Sequence, residues 1–578
     1  MHASDMPMPP GELTLRDALI ASGVPASRLG PAELRARHTG EHLSAAVVAV
    51  GAASHEQAAR ALADANAMQF LAADELSRLD WSLVADIEIT DPNEGIPLTL
   101  EAGRLVIAVS DPHAQLSPAL AQYPIKQTLI ASKSALRKTY QRVFSRTAER
   151  YQQCAQATRE FEQRQRRSTE ADEGVLYERQ FLALLKHACY AGANDVQLAR
   201  SGDVAYATLV IDGVGTTFDV YSPDTSKRFF NLVTECSTVA QSSTAVFRDA
   251  GFKDEVTDRD FDKEIASLRE EFDFRISLSR PRNSEALVIR ILRRDTDALD
   301  LAQLGFDDED MRVLRRAMDS SSGLIAVTGP TGSGKTTTRY ALLCGLDPES
   351  KSIQTIENPV EYQHPMWLQY QVPSGAEEDN VEAIFKGLLR NAPKVIDIAE
   401  IRTAGVARTA MRAASTGHLV MCTLHTDDAA MVVYTLRLLG LTNEDLANNL
   451  QVVIGVRLMR QLCKHCRVAS HRAEDINALK RLMDDQGVAV TPPTSIFSAS
   501  DYGCSSCRSG YQGRFLVYEL LSIQGELVQA LRDNADTDRI RHLGIKPDKT
   551  LRGKALLHVA AGRTSIAEFN RVMPRGRG

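Results

Sequence analysis

The spacing of apolar residues changes along the chain and predicts several folding units. Near the amino terminus, apolar positions recur with helical spacing over Leu13–Ser22 and His55–Asn66, which predicts short amphipathic helices. The apolar run Gly103–Val109 predicts a buried strand. We assign residues 1–140 to a first, partner-binding unit. Residues 141–172 are rich in Arg, Gln and Glu and poor in apolar residues, so we interpret them as a charged spacer, either a solvated helix or a flexible linker, with a binding arm as the alternative.

A second unit is predicted over residues 173–297. The strand-like segment Tyr206–Gly213 ends in an Asp-Gly pair, which is typical of a hairpin turn. Arg275–Ser279 and Ala286–Leu292 are further strand candidates, and Arg280–Ser284 between them predicts a turn. Together with the helical segments, this pattern predicts an α+β unit.

The third unit spans residues 298–578. Apolar strand patterns alternate with amphipathic helix patterns from its start, which is typical of an α/β nucleotide-binding core. A cysteine-bearing segment at residues 455–515 interrupts this alternation, and helical patterning returns over Glu519–Met573. The predicted fold class of the chain is therefore α/β.

Composition and charge narrow the class of protein. A chain of 578 residues is too long for a single core, and its 44% hydrophobic and 24% charged residues are ordinary for globular domains. The formal net charge of -7, from 67 basic and 74 acidic residues, gives no overall attraction to nucleic acid, and none is expected as a partner. No apolar run is long enough for a membrane span, and the first residues do not resemble a secretory signal. We expect a cytoplasmic protein that reaches a membrane only through partners.

A phosphate-binding loop supplies the most specific chemistry. The segment Gly329–Thr336 matches the P-loop pattern G-x-x-x-x-G-K-[ST], between the predicted strand Leu324–Thr328 and the predicted helix Thr337–Leu343. In that context backbone amides surround phosphate oxygens, Lys335 reaches the β and γ phosphates, and the Thr336 hydroxyl binds Mg²⁺. The predicted ATP-binding residues are Gly329, Pro330, Thr331, Gly332, Ser333, Gly334, Lys335, Thr336 and Thr337.

Two later segments supply carboxylates. Glu357 and Glu361 follow one predicted strand, and Asp397 and Glu400 lie at and after another. A carboxylate at such a strand end can face the magnesium side of a nucleotide-binding sheet and orient or deprotonate a nucleophile. We therefore expect these acids, downstream of a P-loop, to include catalytic groups.

Two Cys-x-x-Cys pairs lie about forty residues apart: Cys463, Cys466, Cys504 and Cys507. Four thiolates at this spacing can enclose a tetrahedral Zn²⁺, and a closed site of this kind is structural. A redox-active dithiol pair is the alternative. The other five cysteines are expected to be small buried residues.

Four motifs, in this order and spacing, resemble those of the type II secretion traffic ATPase superfamily, which includes the type IV pilus assembly ATPases. They are the P-loop; Thr355–Glu361, similar to the aspartate box; Ile398–Arg402, similar to the Walker B box; and Thr416–Ala429, similar to the histidine box. Gly192–Leu198 resembles the opening of the family's second amino-terminal domain, and the cysteine segment resembles the tetracysteine module of the assembly ATPases. The match is good over residues 173–578.

The resemblance implies catalytic roles for Glu361, Glu357, Glu400, Arg275, Arg290, His418 and His425. Glu361 would be the general base, with Glu357 as an alternative or a ligand of magnesium-bound water. Glu400 would order Mg²⁺ and water, and the two histidines would sense the γ-phosphate or couple it to movement. The two arginines would be arginine fingers on the nucleotide of the same or of a neighbouring subunit.

Several positions depart from the family pattern. Asn358 replaces an aspartate in the aspartate box, and Ala399 replaces the Walker B glycine. Lys394 stands where an acid is usual, Asp397 where an aliphatic residue is usual, and Ala286 where an arginine is frequent. The lysine, threonine and glutamate core of the motifs is retained, so the departures indicate a divergent branch.

The resemblance also implies an architecture and a machine. The expected fold is a RecA-like P-loop core with a zinc insertion, preceded by a PAS-like α+β domain and a smaller amino-terminal regulatory domain. The expected assembly is a homo-hexamer that works with an inner-membrane platform protein and a cytoplasmic adaptor to build a type IV pilus, a type II secretion pseudopilus or a conjugative thin pilus.

Three other functions stay open as alternatives: a nucleotide-binding structural subunit with weak turnover, a conjugative or DNA-transfer relative, and a pilus retraction motor. Cyclic di-GMP, which some family members bind through their first domain, is not predicted here. The nearest segment, His42–Gly51, lacks the arginine and first glycine of the family's repeat, and Ala65 stands at the glutamine position.

Overall fold

The computed structural model describes residues 14–573 except 82, 85–86, 88, 90–94, 117, 144–146, 165–170, 202–203, 239–246, 254–258, 280–283, 294–299, 349, 365, 373–377, 490–492, 505–506 and 508. The chain divides into two compact units, Met1–Asp297 and Ala298–Gly578. Among the helices that the structure describes, none combines the length and the apolar character needed to span a membrane.

The helices and strands of the first unit have the following bounds. The helices are α1 (Leu15–Ala21), α2 (Leu29–Thr39), α3 (Leu43–Ala49), α4 (His55–Ala65), α5 (Ala73–Arg78), α6 (Pro118–Ala121), α7 (Lys133–Val143), α8 (Thr147–Arg164), α9 (Ala171–Tyr190), α10 (Pro223–Cys236) and α11 (Asp260–Glu271). The strands are β1 (Ile96–Glu101), β2 (Arg104–Val109), β3 (Ile125–Ile130), β4 (Ala193–Ser201), β5 (Val204–Ile211), β6 (Val214–Tyr221), β7 (Phe247–Ala250), β8 (Phe272–Ser279) and β9 (Ser284–Arg293).

The amino-terminal part of this unit confirms the helices predicted at α1 and α4 and the strand predicted at β2. Helix α4 begins with a capping box: Ser54 Oγ accepts from Gln57 N, and Gln57 Oε1 accepts from Ser54 N. These reciprocal bonds satisfy two amides at the helix start that have no partner within the helix. A sheet in the order β1-β2-β3 follows, with β1 antiparallel and β3 parallel to the central β2.

Helix α8 occupies most of the segment that we interpreted as a charged spacer. Tyr151, Ala155 and Thr158 are buried at helical spacing, and the Tyr151 hydroxyl donates to an Asp219 carboxylate oxygen at 2.5 Å. The helix is therefore packed against the neighbouring sheet. The interpretation of this segment as a helix is confirmed for residues 147–164, but the interpretation as a solvated spacer is wrong there. A stripe of three residues is enough to bury one face of a helix even when its other faces are charged.

The second sheet of the first unit has the order β6-β5-β4-β9-β8-β7, and its neighbouring strands pair antiparallel. The predicted Asp-Gly turn is confirmed: Ile211 pairs with Val214 across Asp212 and Gly213, which both have positive φ. Helices α9, α10 and α11 supply the core on one face, with Phe181 and Phe229 at its centre. The α+β character expected for this region is confirmed, whereas the predicted turn at 280–284 lies almost wholly outside the described residues.

The second unit contains the helices and strands that carry the nucleotide motifs. Its helices are α12 (Asp308–Asp319), α13 (Lys335–Cys344), α14 (Glu378–Leu388), α15 (Ala404–Ser415), α16 (Ala429–Leu438), α17 (Asn443–Asn449), α18 (Ala473–Asp485), α19 (Glu526–Arg532), α20 (Thr537–Gly544), α21 (Leu551–Ala560) and α22 (Ile566–Val572). Its strands are β10 (Gly323–Thr328), β11 (Ile353–Glu357), β12 (Leu368–Gln371), β13 (Val395–Ile398), β14 (Leu419–Leu424), β15 (Leu450–Leu462), β16 (Val468–Ser470), β17 (Ile496–Ser498) and β18 (Tyr511–Ser522).

The main sheet of this unit has the order β12-β11-β13-β14-β10-β15-β18. All neighbouring strands run parallel except β15 and β18, which pair antiparallel. Strands β10, β11, β13 and β14 are buried along their whole length because helices cover both faces of the sheet. Their carboxyl ends meet at one edge, and this edge carries the P-loop and the residues that follow β11, β13 and β14. The predicted α/β class is confirmed.

Candidate nucleotide site and cysteine cluster

The P-loop lies between β10 and the first turn of α13. Gly329, Gly332 and Gly334 have φ values of 154°, 75° and 96°. A Cβ atom at Gly329 would lie 2.6 Å from the Val456 carbonyl oxygen, so the close approach of β15 also requires glycine there. The strand, loop and helix expected for this motif are confirmed.

Lys335 begins α13 and folds back over the loop. Its Nζ donates to the carbonyl oxygens of Gly329 and Pro330, at 2.8 and 2.9 Å, and lies 3.3 Å from Nδ1 of His425. Burial of the ammonium group lowers the pKa of Lys335 to about 8. A partly desolvated cation with such weak partners would gain strongly from a phosphate oxygen.

His425 joins this lysine to Glu400. The residue follows β14, and its Nε2 lies 3.2 Å from Oε1 of Glu400, which follows β13. The other oxygen of Glu400 accepts a 2.6 Å hydrogen bond from Arg402 Nη2. Burial opposes ionisation of Glu400, but this bond and the nearby positive charges lower its pKa overall. The P-loop, Walker B and histidine motifs are thus in direct contact through Lys335, His425 and Glu400.

His418, the other predicted histidine, lies at the opposite edge of the sheet. Gly323 pairs with Leu419 and Thr328 with Leu424, so His418 precedes β14 whereas His425 follows it. Six strand residues between them correspond to about 20 Å. His418 Nδ1 instead lies 3.1 Å from the Ala413 carbonyl oxygen. The expectation that both histidines sense one γ-phosphate is therefore wrong for His418 within a single copy of the chain.

Glu357 is buried and fully engaged. Its side chain is 1% exposed, Oε2 accepts from Arg339 Nη2 at 2.9 Å and from the Tyr340 hydroxyl at 2.5 Å, and Oε1 accepts from Thr355 and Gln369. With both oxygens used inside the core, Glu357 cannot act as the alternative base or as a ligand of magnesium-bound water. This prediction is corrected because the sequence placed Glu357 at the strand end without showing which face it would take.

Glu361 is the acid of the aspartate box that stays accessible. Its side chain is half-buried beyond the end of β11, and its charge lies near enough to Lys335 to favour the protonated lysine. Thr336 and Thr337, in the first turn of α13, are also half-buried. Of the residues predicted from the motifs, Lys335, His425 and Glu400 are in contact, with Glu361 nearby.

Sequence reasoning missed Arg457, a buried residue of β15. Its Nη1 donates to the Val456 carbonyl at 3.0 Å and its Nη2 to the Asp427 carbonyl at 2.7 Å. Its charge is one of the influences that lower the pKa of Lys335, so a second cation lies near the P-loop. An arginine inside the apolar run Val452–Met459 was the available signal.

The two predicted arginine fingers lie in the first unit. Arg275 on β8 pairs directly with Arg290 on β9, and Arg290 pairs in turn with Asp195 on β4. Arg290 Nε donates to Asp195 Oδ1 at 2.9 Å. Both arginines project from the sheet face opposite the core residues Phe274 and Ile289. Two like charges directly opposite each other repel, and the Asp195 carboxylate on the same face offsets part of this repulsion.

The four cysteines of the predicted zinc site are brought together. The sulfur of Cys463 lies 3.8 Å from that of Cys504, and the sulfur of Cys507 lies 3.4 Å from that of Cys466 and 3.6 Å from that of Cys504. All four sulfur atoms lie within 4.8 Å of one another. A tetrahedral Zn²⁺ with Zn–S bonds of about 2.3 Å needs sulfur atoms roughly 3.8 Å apart. The donor set and its spacing fit zinc.

Comparison with known proteins assigns the family. The family described as "Type II/IV secretion system protein" matches residues 173–571. The chain belongs to this family. The resemblance predicted from the motifs is thereby confirmed, and the match includes the second sheet of the first unit as well as the nucleotide site and the cysteine cluster.

Individual members of the family show the extent of the similarity. The chain is 35% identical over 310 residues to the type IV pilus assembly ATPase TfpB of Acinetobacter baylyi. This alignment covers 53% of this chain and 51% of that protein. It is 34% identical over 303 residues to the type II secretion system protein HxcR of Pseudomonas aeruginosa, covering 52% and 59%. The chain thus spans about half the length of the curated relatives it matches.

Among solved structures, the crystal structure of the pilus retraction motor PilT with bound ADP aligns with a TM-score of 0.44 and 23% identity, covering 68% of this chain and 97% of that chain. The structure of the ATPase DotB from Legionella pneumophila aligns with a TM-score of 0.43 and 17% identity, covering 67% and 94%.

Proposed function

We propose that this protein binds and hydrolyses ATP with Mg²⁺ to power the assembly of a type IV pilus or a type II secretion pseudopilus. The observation that carries the proposal is the contact of Lys335, His425 and Glu400 at the P-loop edge of the sheet, with Glu361 beside them. Membership of the secretion family supports the same reaction.

The residues divide the work of phosphoryl transfer. The P-loop amides and Lys335 bind the β and γ phosphates, and Thr336 is the side chain that would hold Mg²⁺, which neutralises phosphate charge when bound. Glu361 takes the proton from the attacking water. The water oxygen bonds to the γ-phosphorus as the bond from that phosphorus to the β-γ bridging oxygen breaks. Glu400 orients this water, and His425, in contact with both Lys335 and Glu400, couples the γ-phosphate to the Walker B loop.

Glu361→Gln tests the assignment of the base. We expect kcat to fall by about 10²–10⁴-fold because the amide cannot accept the proton, while the affinity for ATP and the melting temperature stay near those of the wild type. The measurement is phosphate release by the purified oligomer with Mg²⁺ and ATP. Glu357→Gln is the matched comparison: its defect should include a lower melting temperature because Glu357 is part of the core. Equal turnover of Glu361→Gln and wild type would refute the assignment.

The paired arginines are proposed to complete the site as arginine fingers, for a nucleotide held by the same or a neighbouring copy. Arg290→Ala should lower kcat by about a hundredfold and change the affinity for ADP little, since a finger acts on charge that develops during transfer. Arg200→Ala is the control, because Arg200 forms a similar ion pair with Glu285 on the same sheet. Arg200 is not paired with either of the two proposed finger arginines. A hundredfold loss shared by both variants would argue for a general effect of the sheet.

We propose the domain types, the metal and the assembly of this protein on the basis of its family membership. The second unit would be a RecA-like core, the second sheet of the first unit part of a PAS-like domain, and residues 1–140 a partner-binding domain. Zn²⁺ would be held by the four cysteines as a structural ion. The assembly would be a cytoplasmic homo-hexamer at the inner membrane, working with a platform protein and an adaptor.

A further inference from the structure

Three buried charges lie behind the proposed nucleotide site. Arg339 on α13 donates from Nη2 to Glu357 Oε2 on β11 at 2.9 Å, and from Nη1 to Asp397 Oδ2 on β13. The three side chains are 3%, 1% and 0% exposed. We call Arg339, Glu357 and Asp397 the buried triad.

The triad joins the three segments that lead into the site. Thr355 pairs with Asp397 across β11 and β13, so Glu357, two residues further along β11, lies on the same face of the sheet as Asp397. Arg339 reaches this face from α13, one helical turn after Lys335. The two strands then continue within one short loop each to Glu361 and Glu400. Each contact of the triad therefore fixes one distance between the P-loop helix and a strand that bears a site carboxylate.

The partners of the two acids are unequal. Glu357 also accepts from Tyr340, Thr355 and Gln369, whereas Asp397 Oδ1 has no hydrogen-bond partner among the described residues. Asp397 thus depends on Arg339 for its hydrogen bond. Burial raises the pKa of Asp397, and the charge of Arg339 opposes that rise. Removing one member of a buried ion pair leaves a charge without compensation, whereas replacing both members by apolar side chains of similar size is often neutral. Arg339 and Asp397 should therefore behave as an energetically coupled pair.

We propose that Arg339 and Asp397, acting with Glu357, are positioning residues for nucleotide hydrolysis: they hold the P-loop helix at the spacing from β11 and β13 at which Lys335 and Thr336 can act on the same phosphate as Glu361 and Glu400. The proposal rests on the proposed ATP hydrolysis. A cluster that served stability alone could lie anywhere in the core, but this one bridges only the segments that supply both halves of the site.

The test is a double-mutant cycle of Arg339→Leu, Asp397→Leu and the combined variant in the full chain. Two quantities are measured below the melting temperature of every variant: kcat for ATP, and the gain in affinity for a slowly hydrolysed ATP analogue when Mg²⁺ is added. We expect each single variant to lose about tenfold or more in both, while the affinity for ADP without Mg²⁺ stays within about threefold, because the P-loop itself is intact. The combined variant should lose clearly less than Arg339→Leu, because it leaves one buried acid without a cation rather than two. That acid, Glu357, keeps its hydrogen bonds from Tyr340, Thr355 and Gln369.

Arg460→Leu is the matched control. It removes an arginine from the buried Glu568, at 2.8–2.9 Å, in the same unit but outside the four nucleotide motifs. This variant should lose melting temperature and keep both kcat and the magnesium-dependent gain. The proposal is overturned if the folded Asp397→Leu variant keeps both quantities within about twofold of the wild type, or if the combined variant is no better than the worse single variant. Absence of turnover in the wild type would refute ATP hydrolysis itself, and the magnesium-dependent gain would still decide the role of the triad.

Discussion

Lys335→Ala is expected to abolish ATP hydrolysis, with turnover reduced by about 10³-fold or more. Alanine removes the cation that the structure holds at the mouth of the loop, at 2.8 and 2.9 Å from the carbonyl oxygens of Gly329 and Pro330. Lys335 is the one positively charged side chain of the P-loop motif. Without it, the β and γ phosphates would lose that charged partner. Phosphate release by the oligomer measures turnover, and a fluorescent nucleotide measures binding.

The second arm of this experiment is assembly in cells. Lys335→Ala should block formation of the pilus or pseudopilus, whereas Lys386→Ala, which alters an exposed lysine paired with Glu382 on α14, should support both turnover and assembly. Normal assembly by the Lys335→Ala protein would contradict the proposed role as a motor. Loss of both activities in the control would point to a general effect of removing positive charge.

Cys504→Ser is expected to empty the cysteine cluster and unfold the segment around it. Three thiolates and a hydroxyl bind Zn²⁺ far more weakly than four thiolates do. Because the binding of a structural zinc ion is coupled to the folding of the segment around it, loss of the zinc destabilises that segment. The zinc content measured by metal analysis should fall from about one zinc per chain to well below that value. Hydrogen exchange should rise in β16, β17 and α18, which lie between the two Cys-x-x-Cys pairs.

A chelator should reproduce this pattern in the wild type, and Cys154→Ser, which changes a half-buried cysteine of α8 outside the cluster, should not. A wild-type protein purified without zinc, with the same exchange in β16 and β17 before and after chelation, would exclude a structural metal. Reversible oxidation of the cysteines under those conditions would favour the dithiol alternative.

The regular elements were predictable where apolar spacing and turn chemistry agree. The Asp-Gly pair at Asp212 sets a hairpin because both residues must adopt positive φ, and the P-loop is defined by glycines that bring backbone close to β15. Helix α8 was misinterpreted because its buried stripe of Tyr151, Ala155 and Thr158 is outnumbered by charged residues. The amino-acid composition of a helix averages the residues of all its faces, whereas its packing against a sheet depends on the residues of one face.

The site was less predictable because it depends on which face or end of a strand a residue takes. Glu357 and Glu361 are four residues apart, yet one is in the core and the other is accessible. His418 and His425 share one motif, but β14 separates them by its whole length. The triad left a trace in the sequence, since Asp397 stands inside an apolar strand. Its partner Arg339 could not be identified without the packing of α13 on the sheet.

Strand β15 has a mechanical consequence for the two sites of this unit. At Val456 its carbonyl oxygen lies close to Gly329 of the P-loop. Cys463 of the cysteine cluster directly follows the end of β15, seven residues and about 23 Å further along the chain. Antiparallel pairing with β18 stiffens β15 between these points. Because β15 and β18 pair along this stretch, we expect a displacement of β15 at Val456 to be transmitted to the cysteine cluster.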